Sequence, residues 1–310
     1  MSTGWRRLGR LALDTSGAPW ATTHAALPVV EPLGDRWAVY LSLRDAAGRA
    51  RIGRAVLTMS GIPSLTALDP DPVLDLGPLG AFDDSGVTTS SLVTDGSRRL
   101  LYYTGWSRGV TVPFYLAAGV AVSAGGGPFE RQSLAPLLDR SGTDPFLTAS
   151  PFVSIEDRRW RMWYVSATEW RAHASGPRHY YNIRYAESPD GLAWTRDGTV
   201  CLDYATPEEH AFARPWVVRD ADAYRMWFAV RGAKYEIALA ESVDGRRWTR
   251  LSTGGLRPAA ADWESEMVEY PCVFDWQGRR YMLYNGNDYG RTGVGLAVLG
   301  EPGTDVAAGL

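Results

Sequence analysis

The sequence predicts an all-β fold: a five-bladed β-propeller, four antiparallel strands per blade, with the ring closed by the N-terminal strand. Three observations carry that expectation. Five segments share one plan, a short strand mostly opened by Pro, a polar turn and an aromatic-rich second strand, at 27–45, 90–106, 150–167, 214–232 and 270–287. Aligned on Pro28, Ser91, Pro151, Pro215 and Pro271, they lie 63, 60, 64 and 56 residues apart. From each anchor an aromatic residue (Tyr40, Tyr103, Tyr164, Phe228, Tyr284) follows after 12, 12, 13, 13 and 13 residues. Four short strands in a recurring unit of about 60 residues is how a propeller blade reads in sequence.

Each repeat continues into a third strand, and two show a turn and fourth strand, ESPDGLAWTRDG (187–198) and ESVDGRRWTRL (241–251). Their S-x-D-G-x-x-W pattern resembles the Asp-box, in which an Asp side chain caps backbone amides and the Trp packs beneath. The last repeat shows no fourth strand, so 5–13 is expected to supply it. The blades are expected at about 24–87, 88–147, 148–211, 212–267 and 268–300 plus 4–13, in one domain of 310 residues. Trp163, Trp227, Met162, Met226, Trp194 and Trp248 are expected in the core, because alternate residues of a strand face neighbouring blades.

Composition removes several functions. The 32 Lys and Arg against 35 Asp and Glu give a net charge of −3, without the basic excess that displaces phosphate counterions, so no nucleic-acid partner is expected. No apolar run approaches the roughly 20 residues that span a bilayer, and the N-terminus has no secretory core; no membrane partner and a cytoplasmic location are expected. Two cysteines, Cys201 and Cys272, exclude a disulfide framework, and Cys272 lies inside a first strand, where burial is expected. G-x-S-x-G, a P-loop and a helix-opening G-x-G-x-x-G are absent. The four histidines lack helical zinc spacing, so neither a metal nor a cofactor is expected.

Alternating strand direction sorts the polar residues onto two rims. The first-to-second and third-to-fourth turns carry Asp35, Asp95, Asp157, Asp190, Asp220, Asp244 and Asp275, expected to be turn formers. Strand starts on the opposite rim bring His24, Asp84, Glu209, Arg214, Glu266, Glu269 and Tyr270. The second-to-third loops add Arg44, Asp45, Trp106, Glu169, Trp170, Arg231, Asn285 and Asn287, and the longest insertion, 168–182, forms a wall there. Carboxylates and amides bind sugar hydroxyls, and aromatic faces cover sugar C–H surfaces, so this mouth is expected to bind a small sugar or glycoside. Asp84, Glu209 and Glu266 precede three different first strands and are the expected general acid/base carboxylates.

The aromatic strands, the S-x-D-G-x-x-W turns and the closing YMLYNGNDYGRTGVGLAV resemble the five-bladed propeller glycoside hydrolases (arabinanases, β-xylosidases, invertases, levansucrases) and the propeller glycoside phosphorylases. LSLRDAAGRARIG (41–53), FDDSGVTTSSLV (82–93), DPFLTASPFV (144–153), EEHAFARPWV (208–217) and WESEMVEYPCVF (263–274) resemble a group of bacterial predicted glycosidases. The resemblance implies a sugar-type ligand at the mouth and does not fix a reaction. Arabinanase-like enzymes place an Asp directly before the first-blade Pro, where this chain has Leu27; W-M-N-D-P-N and R-D-P segments are absent, and Arg44-Asp45 has no following Pro. Three functions therefore stay open: glycoside hydrolysis, phosphorolysis or other transfer, elimination or isomerisation on a sugar derivative, and carbohydrate binding without turnover.

Overall fold

Trp, Tyr and β-branched residues on alternate positions, punctuated by Gly and Asp turns, leave the chain almost entirely in strands. The computed structural model describes residues 4–300. Its strands fall into four-stranded antiparallel sets, here units I to V. Unit I comprises Thr23–Leu33, Arg36–Arg44, Ala50–Thr58 and the short Ser64–Leu65; unit II comprises Gly86–Asp95, Arg98–Arg108, Phe114–Ala124 and Glu130–Arg131. A single parallel bridge, Ala50 to Gly86, joins these two sets into one eight-stranded sheet. Unit III runs Thr148–Glu156, Arg159–Arg171, Arg178–Ser188 and Val200–Leu202. Unit IV runs Ala211–Arg219, Tyr224–Arg231, Tyr235–Ser242 and Thr249–Leu256. Unit V contains Glu269–Trp276, Arg279–Asn285 and Val294–Gly300, and its fourth strand is the N-terminal Gly4–Leu11, antiparallel to Val294–Gly300.

The first strands pack in cyclic order: I on II, II on III, III on IV, IV on V, and V back on I. The all-β class expected from the sequence is what the structure shows. Both S-x-D-G-x-x-W segments form the turn the pattern implies. Asp190 Oδ1 accepts the amides of Leu192 and Ala193 at 2.8 Å each, and Asp244 Oδ1 those of Arg246 and Arg247 at the same distance. Each turn also docks on the preceding unit: Tyr102 donates to Gly191 O at 2.8 Å and Trp163 to Gly245 O at 2.7 Å. Trp163, Trp227, Met162 and Met226 are fully buried, and Trp194 and Trp248 pack partly buried against the core. Both cysteines are free and buried.

A buried clamp recurs from unit to unit. A carboxylate ahead of the first strand reaches a tyrosine hydroxyl on the second strand, twenty residues later, and an arginine at the outer edge. In unit II, Asp83 accepts from Tyr103 (3.0 Å) and Arg131 (2.7 Å). In unit III, Asp144 accepts from Tyr164 (3.1 Å) and Arg196 (2.9 Å); in unit V, Glu264 accepts from Tyr284 (2.9 Å) and from Arg7 of the N-terminal strand (2.8 Å). Unit IV has Phe228 where the others have Tyr. There Glu209, nineteen residues earlier, takes both of its oxygens to Arg250 (2.9 and 2.8 Å), whose guanidinium lies 5.6 Å from the Phe228 ring. The clamps fix the rim loops to the sheets and join the N-terminal strand to unit V.

Because removing one member of a buried pair leaves an uncompensated charge at a cost of about 3–5 kcal/mol, Asp144→Ala should lower the melting temperature by several degrees. Glu209→Ala should act in the same direction but less, since its pair is nearer solvent. Circular-dichroism melts check both.

Candidate active site

The site is built by an irregularity in the first strands. In every unit the pairing register slips at the repeat anchor: Ala26/Val29, Thr89/Ser91, Ala149/Phe152, Ala213/Trp216 and Glu269/Cys272. In four units the residue just before the anchor Pro is left-handed, with φ of 52° at Leu27, 50° at Ser150, 52° at Arg214 and 57° at Tyr270. Non-glycine residues in this region are strained, and such bulges re-aim side chains. Where unit II has Ser91 instead of Pro, its hydroxyl donates to Pro151 O (2.9 Å) and accepts from Val153 N (3.1 Å), stitching units II and III.

Arg214 shows the effect most clearly. It is fully buried and crosses from unit IV to units I and II, donating to Pro28 O (2.6 Å) and Thr89 O (2.7 Å). Burial pulls its pKa down to about 10, so it stays charged.

Next to the unit V bulge stands Glu269. It is fully buried, and neither carboxyl oxygen makes a hydrogen bond. Burial pushes its carboxyl well above the ordinary carboxylate range; Arg231, Tyr270 and Arg44 pull the other way without cancelling the rise. Around it gather Tyr235 and Tyr270, whose hydroxyls burial and Glu269 drive upward, and Tyr289, which accepts from Arg231 Nη1 at 2.6 Å. Arg231 Nε and Tyr181 Oη are likewise buried without a partner. Tyr289 and the preceding Asp288 are both left-handed, at φ 58° and 55°. Three histidines complete the surroundings. Burial, then Arg44 and Arg291, lower His24 to about 4; burial, then His210, Arg231 and Arg178, lower His179 to about 3; burial and Arg231 lower His210. His179 stacks on Tyr181 at 4.2 Å.

The residues singled out from the sequence divide into two groups. Arg44, Arg231 and Tyr270 come together around Glu269, with His24 beside Arg44. The others are engaged in holding loops. Asp84 accepts from Gly80 N (3.0 Å) and Ser85 Oγ (2.9 Å); Glu209 belongs to the unit IV clamp; Glu266 is exposed, with Lys234 Nζ at 3.6 Å. Asp45 caps its own turn and pairs with Arg49 and Arg51: burial raises its pKa, but those contacts outweigh it and hold the group at about 2. Glu169 pairs with Arg171, Trp170 packs edge-on against Phe114 and His179, and Trp106 lies so close to Gly86 that a Cβ there would fall 2.0 Å from its Nε1. Asn285 accepts from Leu27 N (2.8 Å) and donates to Ala25 O (2.7 Å), tying the unit I bulge to unit V. Asn287 accepts from the amides of Glu266 and Met267 (2.8 and 3.0 Å). Among the described residues no three His, Cys, Asp or Glu gather closely enough to hold a metal ion.

Glu269 was visible in the sequence only as one rim carboxylate among several. The signal that separates it is positional: two residues before the anchor the five repeats read Ala26, Thr89, Ala149, Ala213 and Glu269, and only the last is acidic.

Solved structures share this architecture. The chain superposes with a TM-score of 0.71 on a member of the GH130 family of mannoside phosphorylases, a family that contains glycoside hydrolases targeting beta-1,2 mannosidic linkages in Candida mannan, at 15% identity over 97% of each chain. It superposes with a TM-score of 0.67 on a thermostable family-43 glycoside hydrolase, at 16% identity over 92% of this chain and 91% of that one. The fold is thus glycoside hydrolase-like. No family model matches the chain. In sequence it is 44% identical over 297 residues to the uncharacterized protein Rv1502 of Mycobacterium tuberculosis, across 95% of this chain and 99% of that protein, and it belongs to that protein's family.

The buried histidines give a pH signature. A histidine depressed in the folded state binds its proton at about 6.5 only when unfolded, so stability is full above about 6.5 and falls as pH drops toward the folded values. With His24 at about 4 and His179 at about 3, the loss should begin below 6.5 and deepen to pH 4 and beyond, by at most about 1.4 kcal/mol per pH unit from His179. Melts between pH 7 and 4 should show a shallower decline in His179→Gln than in the native chain.

Proposed function

We propose that the protein is a carbohydrate-active enzyme, a glycosidase that cleaves a small glycoside or sugar-containing metabolite with Glu269 as general acid. The cyclic packing of the first strands and the N-terminal strand in unit V support treating units I to V as the blades of one five-bladed propeller, a single domain over 1–310. The observation that carries the function is Glu269: fully buried, without a hydrogen-bond partner, its carboxyl raised, among arginines and tyrosines at the mouth.

A carboxyl whose pKa burial raises can donate its proton to the glycosidic oxygen as that bond breaks and water attacks the anomeric carbon, then stand as the carboxylate that Arg231 and Arg44 stabilise. Tyr270 and Tyr235 offer hydroxyls to the substrate, and Arg231 fixes Tyr289 across the mouth. Asp84, Glu209 and Glu266 act in this account by positioning the rim loops, through the contacts each already makes.

A second reading, phosphorolysis, is supported by the fold shared with a member of the GH130 family of mannoside phosphorylases. A two-carboxylate hydrolase needs its partner within roughly 5–9.5 Å, whereas an attacking phosphate brings its own nucleophile.

Turnover of a panel of disaccharides and methyl glycosides, whose leaving oxygens must be protonated as the bond breaks, tests both. Glu269→Gln should lower kcat by about a hundredfold or more while the melting temperature holds or rises, and native kcat/KM should fall as pH climbs through the raised pKa. Turnover that needs added phosphate assigns phosphorolysis; turnover in its absence assigns hydrolysis. Unchanged kcat in Glu269→Gln would overturn the acid assignment.

A further inference from the structure

A cleft of about 450 Å3 opens between the long unit III hairpin and the end of the second strand of unit IV, and Arg231, whose charge acts on Glu269, lines it. Arg178, His179, His210, Arg231 and the backbone of Gly176 and Gly232 line it. Its arginines differ from those of the outer-edge ion pairs in what holds them. On the outer edges, arginines such as Arg131, Arg196, Arg250 and Arg280 are held by carboxylates. In the cleft the partners are neutral. Arg178 Nη2 donates to His173 Nε2 at 2.9 Å, and Arg231 Nη1 donates to the Tyr289 hydroxyl at 2.6 Å. Deeper in, Arg214 is held only by backbone carbonyls.

A guanidinium drawn out of bulk water against neutral acceptors keeps its full charge for something else. Two further features say that the missing partner is a ligand. Arg231 Nε is buried with no acceptor, and Glu269, on whose charge Arg231 acts, and Tyr181 also have unpaired polar atoms. Burial first, and then the charge of the neighbouring arginines, lowers the pKa of both cleft histidines, so they add polar edges without taking over the arginines' partner. His210 Nδ1 donates to His179 O at 3.3 Å. One carboxylate, Glu208, lies at the lip of the cleft; it is exposed and bonded within its own loop to Thr206.

We infer that this cleft is a substrate-recognition subsite for an oxyanion carried on the sugar, a carboxylate or a phosphate group, bound between Arg178 and Arg231. The inference rests on the glycosidase reading, since Arg231 links the cleft to Glu269, and it narrows the substrate class from any small sugar to an acidic or phosphorylated one. Selectivity comes from the cost of leaving the part-buried Arg178 and Arg231 guanidinium groups without an anion when a neutral sugar occupies the site.

Isothermal titration of the full chain with glucose, glucuronate, glucose 6-phosphate and inorganic phosphate tests it. At least one of the two anionic sugars should bind tenfold or more tightly than glucose and than inorganic phosphate, and the preference should weaken as salt is raised. Which anionic sugar binds distinguishes carboxylate from phosphate as the source. Arg178→Ala should abolish the preference and Arg178→Lys restore part of it, with unchanged melting temperature as the folding control. Equal affinity for glucose and both anionic sugars would overturn the inference, as would inorganic phosphate binding as tightly as either, or an Arg178→Ala protein that keeps the preference. Glu269→Gln separates the two proposals. It should retain anion preference while losing turnover; preference kept with turnover intact sinks only the acid assignment, and turnover lost with no anion preference sinks only the subsite.

Discussion

The left-handed bulge ahead of the first-strand prolines is the constraint on which the rest of the site depends. At Leu27, Ser150, Arg214 and Tyr270 the chain adopts a conformation costing roughly 1–3 kcal/mol for a residue with a side chain. It persists because neighbouring units determine it from both sides. Asn285 holds the amide of Leu27, Thr104 Oγ1 accepts the amide of Ser150 at 2.8 Å, and Arg214 grips the carbonyls of Pro28 and Thr89. The bulges turn side chains toward their cyclic neighbours, so residues from units I, II and IV meet in one network, and Glu269 and Tyr270 from unit V face Arg231 of unit IV and Arg44 of unit I. Without the register slip, alternation along a strand would place those side chains on the opposite face.

Around that centre, charge is segregated by radius. The outer clamps pair each buried carboxylate with an arginine and, in three units, a tyrosine, so the ionised acids of the fold are compensated where they serve architecture. At the centre the arginines meet neutral acceptors and the one buried acid has no partner. The two environments set opposite tasks for the same residue types. A compensated carboxylate stays charged and holds two elements together; an uncompensated one holds its proton and can deliver it.

Much of the architecture was legible because it repeats. A period near sixty residues, a fixed anchor-to-aromatic distance and two S-x-D-G-x-x-W turns are physical necessities of stacked four-stranded sheets, and they recur whatever the chemistry at the mouth. The pairing of the N-terminal strand with unit V followed from counting strands. The site was legible only as a population. Rim position alone does not distinguish Glu209, clasped by Arg250, from Glu269, which has no partner, because the difference lies in contacts made across units. Aligning the repeats residue by residue does carry that information. Glu209 lies six residues ahead of its anchor, close to the clamp acids Asp83, Asp144 and Glu264 at eight, seven and seven, and Glu269 falls where no other repeat is acidic. Arg178, His179 and Tyr181 were legible only as part of the 168–182 insertion at the rim, because that hairpin has no counterpart in the other repeats against which to align them.

The central claim is that Glu269 keeps its proton in the folded, ligand-free protein. Carbon-13 NMR of protein labelled at the glutamate side-chain carboxyl, with Glu269→Gln used to assign the signal, reads this directly. The account predicts a Glu269 resonance at the protonated shift at pH 7 that moves only at higher pH. A resonance already at the carboxylate shift at pH 7, titrating near the ordinary value of about 4.3, would contradict it.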